Sequence, residues 1–471
     1  MSRLLTVVLC LLCLVASGPP VPPPGPSAGG CVLRIATGAD VSGGVREQAL
    51  EAVWNGVPGR PRACFVAISS VADEQRSAMI SAAQSRAGHY DVFNLDIQWI
   101  PEFAEAGYLR PIDAGTHGGT NDFLSEVWSA GTWKGVRYAV PFNTDVGLLY
   151  RRSDVRRPLS WHDMTVLATA RRSGASRGDL GLAGQFASYE GLTVNALEAI
   201  WAGGGEVVDA GGRVAIADGA GVKAVAGLIA AVTGGVISGA TLDVKEAESL
   251  NTFREGRALF LRHWPSAHEV LSGERSSGGI GFEATALPWQ GVLGGQYLAV
   301  SRHTPRHALA QRLVAALTGR EAAVLLYQCG GFAPARVSAL YEEVRADCGG
   351  PAPTTAPPGP GAPVAASPSA SASASASSPA SGTGSGTGPE ARGGTTPEPE
   401  AEGVPPDTLL RALTRARPRP SSPYYSQFSR VFRTEVHELL SCWALGRKGC
   451  QDAKTFTAAL APKLRKALAG G

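Results

Sequence analysis

Between residues 32 and 96 the chain alternates short apolar runs with stretches of helical periodicity, and no other feature constrains its fold as strongly. Residues 32–36 read as a buried strand ending at Thr37-Gly38-Ala39-Asp40, and a helical stretch follows over 45–54. Residues 64–68 make a second strand and 73–85 a helix. A third strand, Asp91-Val92-Phe93-Asn94-Leu95, closes at Asp96. Strands alternating with helices at this spacing predict an α/β fold with an open, doubly wound, mostly parallel sheet. Ligands of such sheets sit beyond the carboxyl ends of the strands. Asp40 and Asp96 both follow a carboxyl end and are therefore expected on one rim, with Cys31 and Cys64 on the opposite one. The same character resumes later, with helical patterns over 191–202 and 220–233 and a strand over 297–301.

The 471 residues leave room for more than one core, but composition is uneven. The 33 prolines are concentrated near the N-terminus and between residues 350 and 406, whereas the 59 glycines are spread more widely. With those segments set aside, about 380 residues of ordinary globular composition remain, enough for two cores. The balance of 43 basic against 40 acidic residues gives no electrostatic reason to expect a nucleic acid partner. Away from the N-terminus no apolar run approaches the length of a membrane span, which excludes a polytopic membrane protein.

The first residues read as an export signal. Arg3 supplies the positive start, residues 4–15 the apolar stretch, and Val15-Ala16-Ser17 the small residues before cleavage. A signal peptide over 1–17 and a proline-rich stalk over 18–30 follow. Two of the eight cysteines lie inside that signal, and an even six in an exported chain suggest three disulfides. They fall into three neighbourhoods, which favour the local pairs Cys31 with Cys64, Cys329 with Cys348 and Cys442 with Cys450. A bridge between Cys31 and Cys64 would contribute about 3 to 4 kcal/mol. Cys31 has a second open fate, lipid attachment, which would tether the N-terminus to the membrane.

From 350 to 406 alternating Ser-Ala, Gly-Thr repeats and Pro-Glu pairs leave almost no large apolar side chain, so this stretch is expected to be disordered. The plainest reading makes it a linker to a separate domain over 407–471, although two helical patterns make a thin core.

No nucleophile elbow, H-E-x-x-H, Walker loop or dinucleotide fingerprint is present, and the pairs His263/His268 and His303/His307 do not form a metal cluster. No cofactor is expected. The chain offers instead carboxylates, amides and aromatics at expected loop tips: Asp40, Asp96 with Trp99, Asn143 with Asp145, Tyr189 with Glu190, Glu246, Trp264, Trp289 and Tyr297. An aromatic face matches the C–H face of a pyranose, and a carboxylate accepts from neighbouring hydroxyls, a combination suited to a sugar.

Taken together, these segments resemble the maltose/trehalose-type solute-binding proteins of ABC transporters, from Leu33 to about Gly349. Tyr90-Asp91-Val92-Phe93-Asn94-Leu95-Asp96 is similar to the family's first-lobe signature, and the run from Tyr138 through Asn143-Thr144-Asp145 to Tyr150 to its first crossover strand. Tyr189-Glu190-Gly191-Leu192 with Glu198 and Trp201, then Phe253, Gly256-Arg257-Ala258 and Trp264-Pro265, resemble second-lobe elements. Gly294-Gly295 and Pro334 resemble later crossings. Beyond the low-complexity stretch, Ala416-Arg417-Pro418-Arg419-Pro420 with Pro423-Tyr424-Tyr425 resembles a segment that family members reach directly. The stretch over 350–406 is then an insertion in a surface loop, tolerable because closure cost grows slowly with length.

The resemblance implies a two-lobed periplasmic-binding-protein-like fold closing on a ligand by a hinge. Lobe 1 would comprise 31–142 and 290–332, and lobe 2 would comprise 143–289, 333–349 and 407–471. It implies a monomer that binds a di- or oligosaccharide and delivers it to permease subunits. Asp40 and Asp96 would bind from the first lobe, Asn143 from the crossover, and Glu246 and Trp264 from the second, with Trp264 as stacking platform. Tyr189, Glu190, Gly295 and Arg417 are secondary candidates. The short stretch 287–292 departs from the family pattern, and Trp289 within it would reshape the pocket. Two rivals remain: a glycosidase using Asp96 and Glu246, and a sugar sensor without a transporter.

Overall fold

The computed structural model describes residues 30–39, 44–85, 87–113, 115, 120–172, 180–273, 279–348 and 403–471. Asp40, the export signal, most of the stalk and most of the insertion lie outside the described residues.

The strands in chain order are β1 (Leu33–Thr37), β2 (Ala63–Ala67), β3 (Val92–Asp96), β4 (Thr132–Trp133), β5 (Val136–Arg137), β6 (Ala139–Val146), β7 (Leu148–Arg152), β8 (Leu180–Ala183), β9 (Ala258–His263), β10 (Phe282–Ala286) and β11 (Leu293–Val300). They form two main sheets, ordered β2-β1-β3-β11-β6 and β10-β7-β9-β8, beside a small β4-β5 hairpin. The first three strands pair in parallel, as their alternation with helices predicts. The expectation of mostly parallel sheets needs correction, because β11 runs antiparallel to both β3 and β6, and β7 antiparallel to both β9 and β10. Crossing is the cause. A strand that leaves for the other lobe and one that returns from it run in opposite senses through the same sheet.

Crossing out occurs at Gly147, between β6 and β7, rather than at 142/143. A side chain there would place Cβ 2.6 Å from Glu198 Oε1 and 2.7 Å from Arg262 Nη2, so only glycine lets the backbone pass this ion pair. The period-2 geometry of β7 and β9 then divides their side chains. Leu149 and Phe260 enter a second core with Leu182, Leu197, Phe428, Phe432 and Leu460. Leu148, Tyr150 and Leu261 face the other way, into a core continuous with Ile35, Phe93, Phe142 and Leu298 of the first sheet.

The tail is no separate domain. Helices Tyr425–Ala444 and Ala453–Leu468 bury Phe428, Phe432, Leu439, Phe456 and Leu464 in the second core, and full burial of each is worth about 1.5–3 kcal/mol. Two neighbouring segments depart from the expected partition. Phe332, Ala333, Ala335 and Leu340 pack in the first core, and Arg336 is held by the first lobe, donating to Thr318 O at 2.8 Å and pairing with Asp122 at 3.4 Å. Residues 333–348 therefore sit on lobe 1. The helix Pro406–Arg415 also places Leu409 and Leu413 in the first core, and Val404, inside the stretch read as disordered, packs there too. Val404 is buried, and its carbonyl accepts from Tyr327 Oη at 2.9 Å.

All three local cysteine pairs are bridged: Cys31–Cys64, Cys329–Cys348 and Cys442–Cys450. Cys31–Cys64 joins the starts of two parallel neighbours, where the β1–β2 register sets Arg34 opposite Cys64.

Candidate ligand-binding cleft

Asp96 ends β3, where its carboxylate accepts from Gln98 N–H at 2.9 Å and so caps the following turn. The same carboxylate accepts from Arg419 Nη2 at 3.0 Å, while Arg419 Nη1 donates to Glu190 at 2.7 Å across the lobe boundary. Glu190 opens the helix Glu190–Ala202 and also accepts from the hydroxyls of Tyr425 and Ser429. Arg419 thus ties the first lobe to the second, with a side chain only 3% exposed. Burial acts against its charged form, but the surrounding Asp96, Tyr425 and Glu190 outweigh it and hold the guanidinium more firmly protonated. Its Nε has no hydrogen-bond partner. Two further contacts cross the same seam: Ser426 to Glu102 at 3.1 Å and Arg433 to Asp73 at 3.0 Å.

The end of β6 supplies Asp145. It lies deep in the molecule yet partly open, opposite Gly294 of β11. Among the described residues it accepts a hydrogen bond from the adjacent Val146 N–H alone, at 3.2 Å. Burial raises its pKa to about 7; Arg262 opposes the rise and Asp96 adds to it. Gly294 and Gly295 let the two strands close. Gly295 has φ +131°, and a Cβ there would lie 2.6 Å from Asn143 O. At Gly294 a Cβ would stand 3.7 Å from the ring of Trp264.

Trp264 follows β9, partly exposed. The Arg262 guanidinium lies 4.0 Å from its ring centroid and takes one face of the indole. Arg262 is itself fixed by Glu198 through two parallel bonds of 2.8 and 2.6 Å, both side chains 3% exposed. Val292 N–H completes Glu198 at 2.9 Å. Tyr150 Oη donates to Trp264 O at 2.8 Å, anchoring the turn that carries the ring. Next to it His263 is held neutral, its pKa pushed down to about 4 by burial. Glu246 opens the helix Glu246–Arg254 and lies beside Tyr189, whose buried hydroxyl interacts with it. Burial and the charge of Glu246 push that phenol well above its ordinary range.

Of the residues expected from sequence, Asp96, Glu190, Gly295 and Trp264 thus converge with Tyr189 and Glu246 around the seam. Asn143 lies in β6 opposite Gln296, 3% exposed, its amide donating to Thr144 O at 3.2 Å. Two expectations are corrected. Trp289 is packed in the second core, edge-to-face on Trp161 with centroids 5.3 Å apart, because the short 287–292 connection turns it inward. Arg417 has its charge matched by Glu206 at 2.6 and 3.0 Å and covers Trp201, 4.6 Å from the ring centroid. Two residues further along the extended segment that pairs with Val292, Arg419 and not Arg417 reaches Asp96 and Glu190. Arg262 and Glu198 were missing from the expected site, and Asp145 stood among its candidates only beside Asn143. Asp145 and Glu198 stand inside the segments that carry the family resemblance, and that was their available signal. A hollow of about 590 Å³ beside Arg419 runs between Trp201, the 208–212 turn and residues 417–422.

Two α/β lobes with a charged and aromatic seam between them define a hinged binding protein. Residues 66–348 match the model of the bacterial extracellular solute-binding proteins, and the chain belongs to that family. A probable ABC transporter-binding protein of Deinococcus radiodurans is 31% identical over 200 residues, which is 39% of this chain and 47% of that relative, so the match spans about half of its length. Among solved structures, maltose-bound T. maritima MalE3 is similar with a TM-score of 0.71 at 21% identity, covering 93% of this chain and 99% of that one. The GacH receptor of Streptomyces glaucescens, solved unliganded and with acarbose, has a TM-score of 0.69 at 16% identity over 93% and 98%. Both share the fold. Among the described residues no helix is long and apolar enough to cross a membrane.

Proposed function

We propose that this protein is an exported, monomeric carrier that closes its lobes on a carbohydrate and delivers it to the permease of an ABC transporter. The observation that carries this reading is the convergence of Trp264 with Asp96, Asp145 and Glu190, drawn from both lobes to one seam. An aromatic platform ringed by carboxylates and guanidinium groups suits polyhydroxylated ligands. The family, the relative named for ABC transport, and neighbours solved with maltose and acarbose support the same direction. Trp264 stacks the sugar on the face that Arg262 leaves, Asp145 and Glu246 accept hydroxyls, and Arg419 sets the distance between the lobes.

Catalysis is not part of the reading. In a glycosidase Asp96 would have to pass protons or attack, yet it is engaged by the Arg419 cation and by Gln98 N–H. Calorimetric titration with maltose, trehalose and longer glucosides is expected to show one site, weakened at least tenfold by Trp264→Ala, with no monosaccharide released on incubation. Failure of every sugar to bind refutes the reading.

A further inference from the structure

Charge within the cleft points to the chemical class of the ligand, an inference that rests on the sugar-capture reading above. Around the seam stand the carboxylates of Asp96, Asp145, Glu190, Glu198 and Glu246. The guanidinium groups among them belong to Arg262 and Arg419. Arg262 is fully matched by Glu198, and Arg419 is shared between Asp96 and Glu190. Arg433 approaches Glu190 at 3.9 Å but is closer to Asp73, at 3.0 Å. Lys245 leans on the Tyr189 ring at 5.7 Å. Among the described residues neither Asp145 nor Glu246 forms an ion pair, although both are partly withdrawn from solvent.

Asp145 is the more constrained. The charged and titratable groups that reach it are Arg262 from β9, Asp96 from β3, Arg419 from the tail segment and Tyr150 from β7. Both cations already have anionic partners at hydrogen-bond distance, and Asp96 adds a like charge. A carboxylate in that position is stabilised most by a cation brought from outside. Near pH 7 the unliganded carboxyl is about half protonated; an ammonium group nearby favours its ionised form, and an anionic ligand opposes it. Tyr189, 7% exposed, sets its hydroxyl beside Glu246 on the other side of the cleft.

We propose that the preferred ligand is an amino-bearing saccharide, seated with its apolar face on Trp264 and its ammonium group against Asp145. An aminated sugar would neutralise Asp145, whereas the neutral sugar offers only hydroxyl hydrogen bonds. Phosphorylated and uronic-acid sugars are disfavoured by the same charge.

The test is calorimetric titration of the full-length exported protein at pH 7 with matched pairs: trehalose against 2-amino-2-deoxytrehalose, and glucose against glucosamine. The amino member of a pair is expected to bind at least tenfold tighter, and Asp145→Asn to reduce that preference to less than threefold. Equal or tighter binding of the neutral members overturns the inference while leaving sugar capture intact. An unchanged amino preference in Asp145→Asn also overturns it. Failure of both members of every pair would instead refute sugar capture. The wild-type comparison needs no variant, so the inference stays testable even if Asp145→Asn folds poorly.

Discussion

Two arginine–carboxylate arrangements lie close together in this protein and do different work. Arg262–Glu198 joins β9 to the helix Glu190–Ala202 inside the second lobe, with both side chains 3% exposed. Arg419 is equally buried, but its partners Asp96 and Glu190 belong to different lobes and are 31% and 16% exposed. The first pair lies inside one lobe, so a hinge motion that separated the lobes would leave it shut. The same motion would part the second, and its carboxylates would regain water. Similar chemistry thus stands inside one lobe in one place and across the seam in the other.

Removing one partner from each arrangement exposes the contrast. Glu198→Ala strands Arg262 in a dry interior and is expected to lower stability by about 3–5 kcal/mol in urea unfolding, with ligand binding lost because Trp264 loses its support. A loss below about 1 kcal/mol would show that water reaches this pair. The unpaired Asp145 provides the next effect. Its pKa is raised to about 7 in the folded state from an ordinary 3.8, so the folded form holds a proton that the unfolded chain has released. Stability of the unliganded protein should therefore fall as pH rises from about 4 to 7, by at most about 1.4 kcal/mol per pH unit, and level off above. Asp145→Asn should flatten that slope, as read from thermal melts across the range.

Arg419→Ala should cost less, about 1–2 kcal/mol, since Asp96 and Glu190 can rehydrate by letting the lobes part. Small-angle scattering should show a larger radius of gyration for the unliganded variant than for wild type. An unchanged radius would mean that Ser426–Glu102 and Arg433–Asp73 hold the seam alone. Smallest is Trp289→Phe, expected to cost about 1 kcal/mol for lost packing against Trp161 and to leave sugar affinity unchanged. Altered affinity would return Trp289 to the cleft.

Much of this was readable in advance wherever local chemistry decides the outcome. The strand–helix alternation up to Asp96 announced the parallel β2-β1-β3 unit, and cysteine neighbourhoods announced the bridges. Trp264 and Trp289 show where reading stops. Each is a tryptophan near a strand end, but one is partly open beside Gly294 and the other is buried on Trp161. An aromatic ring serves a core and a binding platform equally well, so sequence cannot separate them. Arg417 and Arg419 pose the same difficulty two residues apart: which one meets Glu206 and which meets Asp96 depends on how the tail lies beside Val292.

By itself the sequence determined the α/β class, the export signal expected at its start, the local disulfide pairs and the carboxylates and aromatics available for binding. Each of these rests on residues close together in the chain or on composition. Tertiary structure alone decided the antiparallel return of β11, the crossing at Gly147, the placing of 333–348 on the first lobe, and the choice of Arg419 as the link between lobes. All four depend on elements more than a hundred residues apart meeting at one seam, where burial and the charge of remote neighbours settle what each side chain can do.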